Sequence, residues 1–119
     1  MRSILVVEDE PGIRDMLRDA LEDAGLESAG AATGDCAYRL VENTEFQLIV
    51  TDINLPGQLD GISLAQSIRQ KLPSMPILFI SGRITKLDEA RTMKEPVSFL
   101  AKPFPLDRFI EQVRALLTH

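Results

Sequence analysis

The sequence predicts an α/β domain in which a parallel sheet of five strands is wound with helices on both faces. Three observations predict it. Short apolar runs recur along the chain and are continuous rather than alternating, amphipathic stretches of helical period separate them, and no linker, low-complexity segment or internal repeat interrupts the order. At 119 residues, with 45% hydrophobic and 26% charged residues, the chain has the proportions of one globular domain with one buried core.

The first strand is read at Ile4–Val7, whose continuous apolarity suits a strand covered on both faces. A helix follows, with Ile13, Met16, Leu17, Ala20, Leu21 and Ala24 on one face, Pro11 in its first turn and Gly25 just past its end. Leu26–Ala31 is a weaker strand; Glu27, Ser28 and Gly30 within it point to a sheet edge. Ala37, Leu40 and Val41 mark a shorter helix after the turn residues Gly34 and Asp35, and Leu48–Val50 is the third strand. Leu64, Ala65, Ile68 and Leu72 form the next helical face before Pro73, and Ile77–Ile80 is the fourth strand. The segment from Thr85 to Met93 is the poorest helix; with Leu87 and Ala90 as its main anchors it is expected to open most easily. Val97–Ala101 is the fifth strand, and Leu106, Phe109, Ile110, Val113, Leu116 and Leu117 repeat the helical pattern after Pro105. Repeated strand–helix units imply right-handed crossovers, and the strand order of flavodoxin-like doubly wound domains, 2-1-3-4-5, is adopted for this chain.

Eighteen acidic residues against 13 basic ones give a formal charge of −5, which argues against a surface for nucleic-acid backbones. Cys36 is the lone cysteine, so an internal disulfide is excluded and a reducing compartment fits; a small, buried or half-buried side chain is expected there. The opening Met1-Arg2-Ser3-Ile4 reaches Glu8 after too few apolar positions for a signal peptide or membrane span, so a soluble cytoplasmic protein is expected. His119, at the last position, is assigned no function.

In a sheet of this kind ligands bind beyond the carboxyl ends of the strands, near the switch point between the first and third. There the sequence places Glu8-Asp9, Asp52, Ser81 and Lys102. Each has a plain reading by itself: Glu8, Asp9 and Glu10 as caps of the following helix, Asp52 as a turn former before Asn54, Pro56 and Gly57, Ser81-Gly82 as a turn pair, Lys102 as a surface lysine. Their joint arrival at one sheet edge is what the plain readings leave unexplained. Carboxylates without histidine or cysteine make a hard, oxygen-only site suited to Mg²⁺ with retained waters. Such an ion relieves their repulsion and offers positive charge to a phosphoryl group, while a lysine and a hydroxyl supply further contacts and one carboxylate acts as nucleophile. Asp52, ending the central strand, is the best candidate nucleophile.

At these residues the sequence resembles the response-regulator receiver family of two-component signalling. The resemblance runs through Val7-Glu8-Asp9-Glu10, Thr51-Asp52-Ile53-Asn54-Leu55-Pro56-Gly57, Ser81-Gly82 and Phe99-Leu100-Ala101-Lys102-Pro103-Phe104, and so covers essentially all of residues 1–119 as a single receiver domain. It implies that Asp52 accepts phosphate from a sensor histidine kinase or histidine phosphotransfer protein. It further implies that Glu8, Asp9, Asp52 and the backbone carbonyl of Asn54 hold Mg²⁺, that Lys102 contacts the phosphoryl group, and that Ser81 and Phe99 move as switch residues. Phe99 has core packing as an equal alternative, and Lys102-Pro103 resembles the family's cis peptide. The implied function is a phosphorylation-controlled switch for an unknown downstream protein, not an enzyme and with no direct nucleic-acid or membrane binding. A small Mg²⁺-dependent phosphatase of similar fold, a flavin carrier and a non-phosphorylated interaction module are the alternatives; the first would carry its nucleophile after the first strand, and the second would need a phosphate-cradling loop where Glu8-Asp9-Glu10 stands.

Two departures from the family pattern stand out. Gly61 lies one residue further from Asp52 than usual, after Gly57-Gln58-Leu59-Asp60, which should reshape that loop and leave the chemistry intact. Glu95-Pro96 replaces the usual Gly-Ala before the fifth strand, so the weak fourth helix lacks its glycine end.

Overall fold

A computed structural model describes residues 3–118; His119 and the Met1-Arg2 start lie outside them. The chain alternates β1 (Ser3–Val7), α1 (Pro11–Asp23), β2 (Glu27–Ala31), α2 (Gly34–Asn43), β3 (Leu48–Asp52), α3 (Gly61–Lys71), β4 (Ile77–Ser81), α4 (Ile84–Ala90), β5 (Val97–Ala101) and α5 (Leu106–Leu117). All four strand pairings are parallel, and the sheet order is β2-β1-β3-β4-β5, the order expected.

Alternate residues of each central strand feed two cores. Leu5, Val7, Ile49, Ile77 and Phe79 face Ala37 of α2, Leu64, Ala65 and Ile68 of α3 and Leu87 and Ala90 of α4. Ile4, Val6, Leu48, Val50, Leu78 and Ile80 face Leu17 and Leu21 of α1 and Phe109, Val113 and Leu116 of α5. Each valine, leucine, isoleucine or phenylalanine among them, removed from water, contributes about 1.5–3 kcal/mol. Double coverage is why β1, β3 and β4 read as unbroken apolar runs.

At the edge, β2 is only partly covered. A Cβ at Gly30 would lie 3.1 Å from Cδ of Arg14 and 3.3 Å from Cδ of Arg18, so the glycine leaves room for two arginine stems to cross the edge. Arg18 then donates to Ser28 Oγ and to its carbonyl.

Several boundaries differ from those expected. β3 runs on through Thr51 and Asp52, both buried, because strand pairing continues to Asp52 opposite Ile80. α4 stops at Ala90, short of Met93, and α3 begins at Gly61. Cys36 is exposed, not buried or half-buried: Ala37 turns inward on α2, and a neighbour one residue away sits about 100° round the helix. Glu10 occupies the cap position of α1 but makes no side-chain cap bond.

The loop with the extra residue folds against α2. A Cβ at Gly34 would fall 2.4 Å from the Leu59 carbonyl oxygen and 2.7 Å from Leu59 Cβ, and one at Gly61 would fall 2.2 Å from the carbonyl oxygen of Asp52. Only glycine accepts these approaches.

Candidate functional site

Topology gathers the site. From β1 the chain turns outward to β2 and then returns to β3 on the other side of β1, so the segments following β1 and β3 diverge and leave a crevice between them. Val7 is in register with Thr51, which sets Glu8 beside Asp52 at the carboxyl edge. Ser81 is in register with Ala101, and the Lys102 amide donates to the Ser81 carbonyl at 2.8 Å, which places Lys102 beside the same edge.

Side chains from three segments meet there. Oxygens of Glu8, Asp9 and Asp52 lie within 4.8 Å of one another, with Glu8 and Asp52 buried and Asp9 exposed. The Lys102 ammonium bridges two of them, 2.8 Å from Oε1 of Glu8 and 2.7 Å from Oδ2 of Asp52. Oδ1 of Asp52 accepts from the Asn54 amide at 3.1 Å, and Oε2 of Glu8 accepts from the Glu10 amide at 3.2 Å. Both carboxylates thus have one oxygen fixed by backbone and the other by lysine.

Burial is the main influence on Glu8 and pushes its pKa up; the hydrogen bonds from Lys102 and the Glu10 amide oppose that, and the charge of Asp52 reinforces it. Burial alone would lower the Lys102 pKa, but its bonds to Asp52 and Glu8 outweigh this and hold it above the ordinary value.

The donor set suits a hard divalent cation. It is all oxygen, and Asp9 leaves one side open to solvent where waters could complete a shell. Lys102 supplies positive charge at the same oxygens, and its 25% side-chain exposure leaves it room to move.

Two other expected site residues stand differently. The Ser81 hydroxyl is engaged locally, accepting from the Arg83 amide at 3.0 Å and donating to the Arg83 carbonyl at 3.3 Å, so it is bound to the turn rather than to Asp52 or Lys102. Phe99 is half-buried and stacks on Phe79 with centroids 5.9 Å apart. The Lys102-Pro103 peptide is cis, as is Glu95-Pro96. Arg14 was not foreseen: its guanidinium donates to the Glu8 carbonyl at 2.8 Å and fixes the segment that carries two of the carboxylates. The signal was Gly30, an unfilled edge position opposite the arginine stems.

The sequence profile of the response regulator receiver domain matches residues 4–114. The chain belongs to that family. Receiver domains are signalling switches of two-component systems. This receiver is 32% identical to the response regulator receiver protein CpdR of Brucella abortus, over 98% of both chains. It is 34% identical to a probable transcriptional regulatory protein of Picosynechococcus, over 96% of this chain and 48% of that protein, so it spans about half the length of that relative. The crystal structure of the response regulator TrrA from Thermotoga maritima, in complex with Mg²⁺-BeF, superposes with a TM-score of 0.88 and 30% identity, over 98% of this chain and 99% of that one. No helix among the described residues is long and apolar enough to cross a membrane.

Proposed function

We propose that residues 1–119 form one receiver domain acting as a phosphoacceptor switch, in which Asp52 takes a phosphoryl group from a sensor histidine kinase or histidine phosphotransfer protein. The observation that carries this reading is the convergence of the Glu8, Asp9 and Asp52 oxygens within 4.8 Å, with the Lys102 ammonium bridging Glu8 and Asp52. A carboxylate oxygen of Asp52 attacks phosphorus as the phosphorus–nitrogen bond of the donor's phosphohistidine breaks and the imidazole leaves.

Glu8, Asp9, Asp52 and the Asn54 backbone carbonyl would hold Mg²⁺, and the Mg²⁺-BeF complex of TrrA supports that choice. When bound, the ion supplies positive charge that neutralises the carboxylates and the incoming phosphoryl oxygens. Lys102 is positioned to follow an Asp52 oxygen onto the phosphoryl group. Ser81 reaches that group only by giving up its bonds to Arg83, and Phe99 rearranges with it, so that the switched surface meets a downstream protein. The oxygen-rich site and acidic balance give no footing for nucleic acid, and a cytoplasmic location fits the dependence on a kinase.

Incubation with acetyl phosphate and Mg²⁺ tests the reading. Intact mass should show one acid-stable, base-labile phosphoryl adduct that requires the metal and is absent from Asp52→Asn. An equal adduct on D52N overturns it. Sustained hydrolysis of an external phosphomonoester would instead make the protein a phosphatase.

A further inference from the structure

Phe99 is contacted from two elements. Its partner across β4 and β5, Phe79, stacks with 16° between the ring planes, and the guanidinium carbon of Arg91 lies 5.1 Å from the Phe99 centroid. Arg91 is the first residue after α4, and its Nε donates to Oδ1 of Asp88 at 3.1 Å one turn earlier, which fixes the guanidinium in place. The helix it closes is short. α4 is seven residues long, has no side-chain cap bond at Arg83 and turns Leu87 and Ala90 into the core. Beyond it, the Lys94 and Pro96 carbonyls are tied by Arg69 to α3, so the connection into β5 is anchored below while the end of α4 leans on the Phe99 ring.

We propose that Arg91 is a positioning residue for the switch: its contact with Phe99 couples the end of α4 to β5 and stabilises the arrangement seen in this structure against the phosphorylated one. The inference rests on Asp52 as phosphoacceptor and Phe99 as a moving residue. A cation over an aromatic face at an exposed site is worth a few-fold in an equilibrium constant. If the rearranged state is the minor one in the free protein, removing the tie raises its population and tightens any ligand that selects it by the same factor. A matched control exists in the molecule: Lys71 lies at the same 5.1 Å from the Tyr38 ring, but it joins α3 to α2, away from β5.

The test is titration of the Mg²⁺-loaded protein with beryllium fluoride, followed by amide NMR. Arg91→Ala and Arg91→Gln should bind about two- to fivefold more tightly than wild type, Arg91→Lys should fall between, and Lys71→Ala should match wild type. The Arg91 side chain is 58% exposed, so these variants keep the fold. In the free protein the Arg91 side-chain protons should be shifted upfield by the ring and return to ordinary positions in Phe99→Leu. Unchanged or weaker binding by R91A and R91Q overturns the proposal, as does an unshifted Arg91. Failure of the wild type to bind beryllium fluoride with Mg²⁺ overturns the reading of Asp52 and this coupling with it, whereas binding by wild type with R91A unchanged overturns the coupling alone.

Discussion

Replacing Lys102 by methionine removes the ammonium that joins Glu8 to Asp52. The charges sit 2.8 and 2.7 Å apart, and the side chains are 1% exposed at Glu8, 8% at Asp52 and 25% at Lys102. At an effective dielectric of about 20 each pair attracts by roughly 6 kcal/mol. Repulsion between the two carboxylates and the desolvation of all three groups cancel much of that. Breaking a buried pair costs about 3–5 kcal/mol, and screening at the quarter-exposed lysine reduces the expected loss to about 2–3 kcal/mol at pH 7 without metal. The sign of the pH dependence follows from Glu8. Burial already holds its pKa above the ordinary 4.5, and without Lys102 it rises further. The folded protein then keeps a proton that the unfolded chain releases, so the deficit grows as pH rises from 4.5 through the folded pKa and shrinks on acidification. Urea denaturation followed by circular dichroism at pH 7 and pH 5, with EDTA, measures both. A K102M protein as stable as wild type at pH 7, or a deficit that widens at pH 5, refutes the electrostatic account of the site.

Other substitutions probe the frame around it. Gly61→Ala sets a Cβ 2.2 Å from the Asp52 carbonyl oxygen and 2.7 Å from Ile53 Cα, both backbone, so a loss above about 3 kcal/mol is expected in urea melts; wild-type stability would show that the loop moves freely. Gly12→Ala meets nothing within 4 Å inside α1 and should stabilise by about 0.5–1 kcal/mol. Arg69→Ala removes donors to the Met75, Lys94 and Pro96 carbonyls, costing about 2–4 kcal/mol and raising hydrogen exchange along the α4–β5 connection first. Exchange that rises evenly over the sheet would contradict that local role.

Much of the frame was legible because burial on both faces leaves a plain mark: β1, β3 and β4 are unbroken apolar runs, and Glu27 and Gly30 identify β2 as an edge. The gathering of Glu8, Asp9, Asp52 and Lys102 was legible for a topological reason, since every strand in a parallel sheet ends on the same edge. What escaped depends on rotation and local competition. The Ser81 hydroxyl can turn either to the nearest amide or to the pocket, and it is the Arg83 amide that holds it. Cys36 lay off the inward face by one helical step, a distinction the period contains but composition suppresses. Arg69 and Arg91 act through backbone carbonyls and a ring in other elements, and no periodicity announces such partners; for Arg14 the one mark is Gly30 on the edge its stem crosses.

A phosphoryl group on Asp52 can be located by chemistry. After acetyl phosphate treatment with Mg²⁺, borohydride reduction converts an aspartyl phosphate to homoserine, and tryptic cleavage after Arg39 and Arg69 isolates Asp52 on the peptide 40–69 while Ser81 falls on 72–83. Homoserine at position 52 is the predicted result. A modified 72–83 peptide with unaltered aspartate at 52 would contradict Asp52 as the phosphoacceptor.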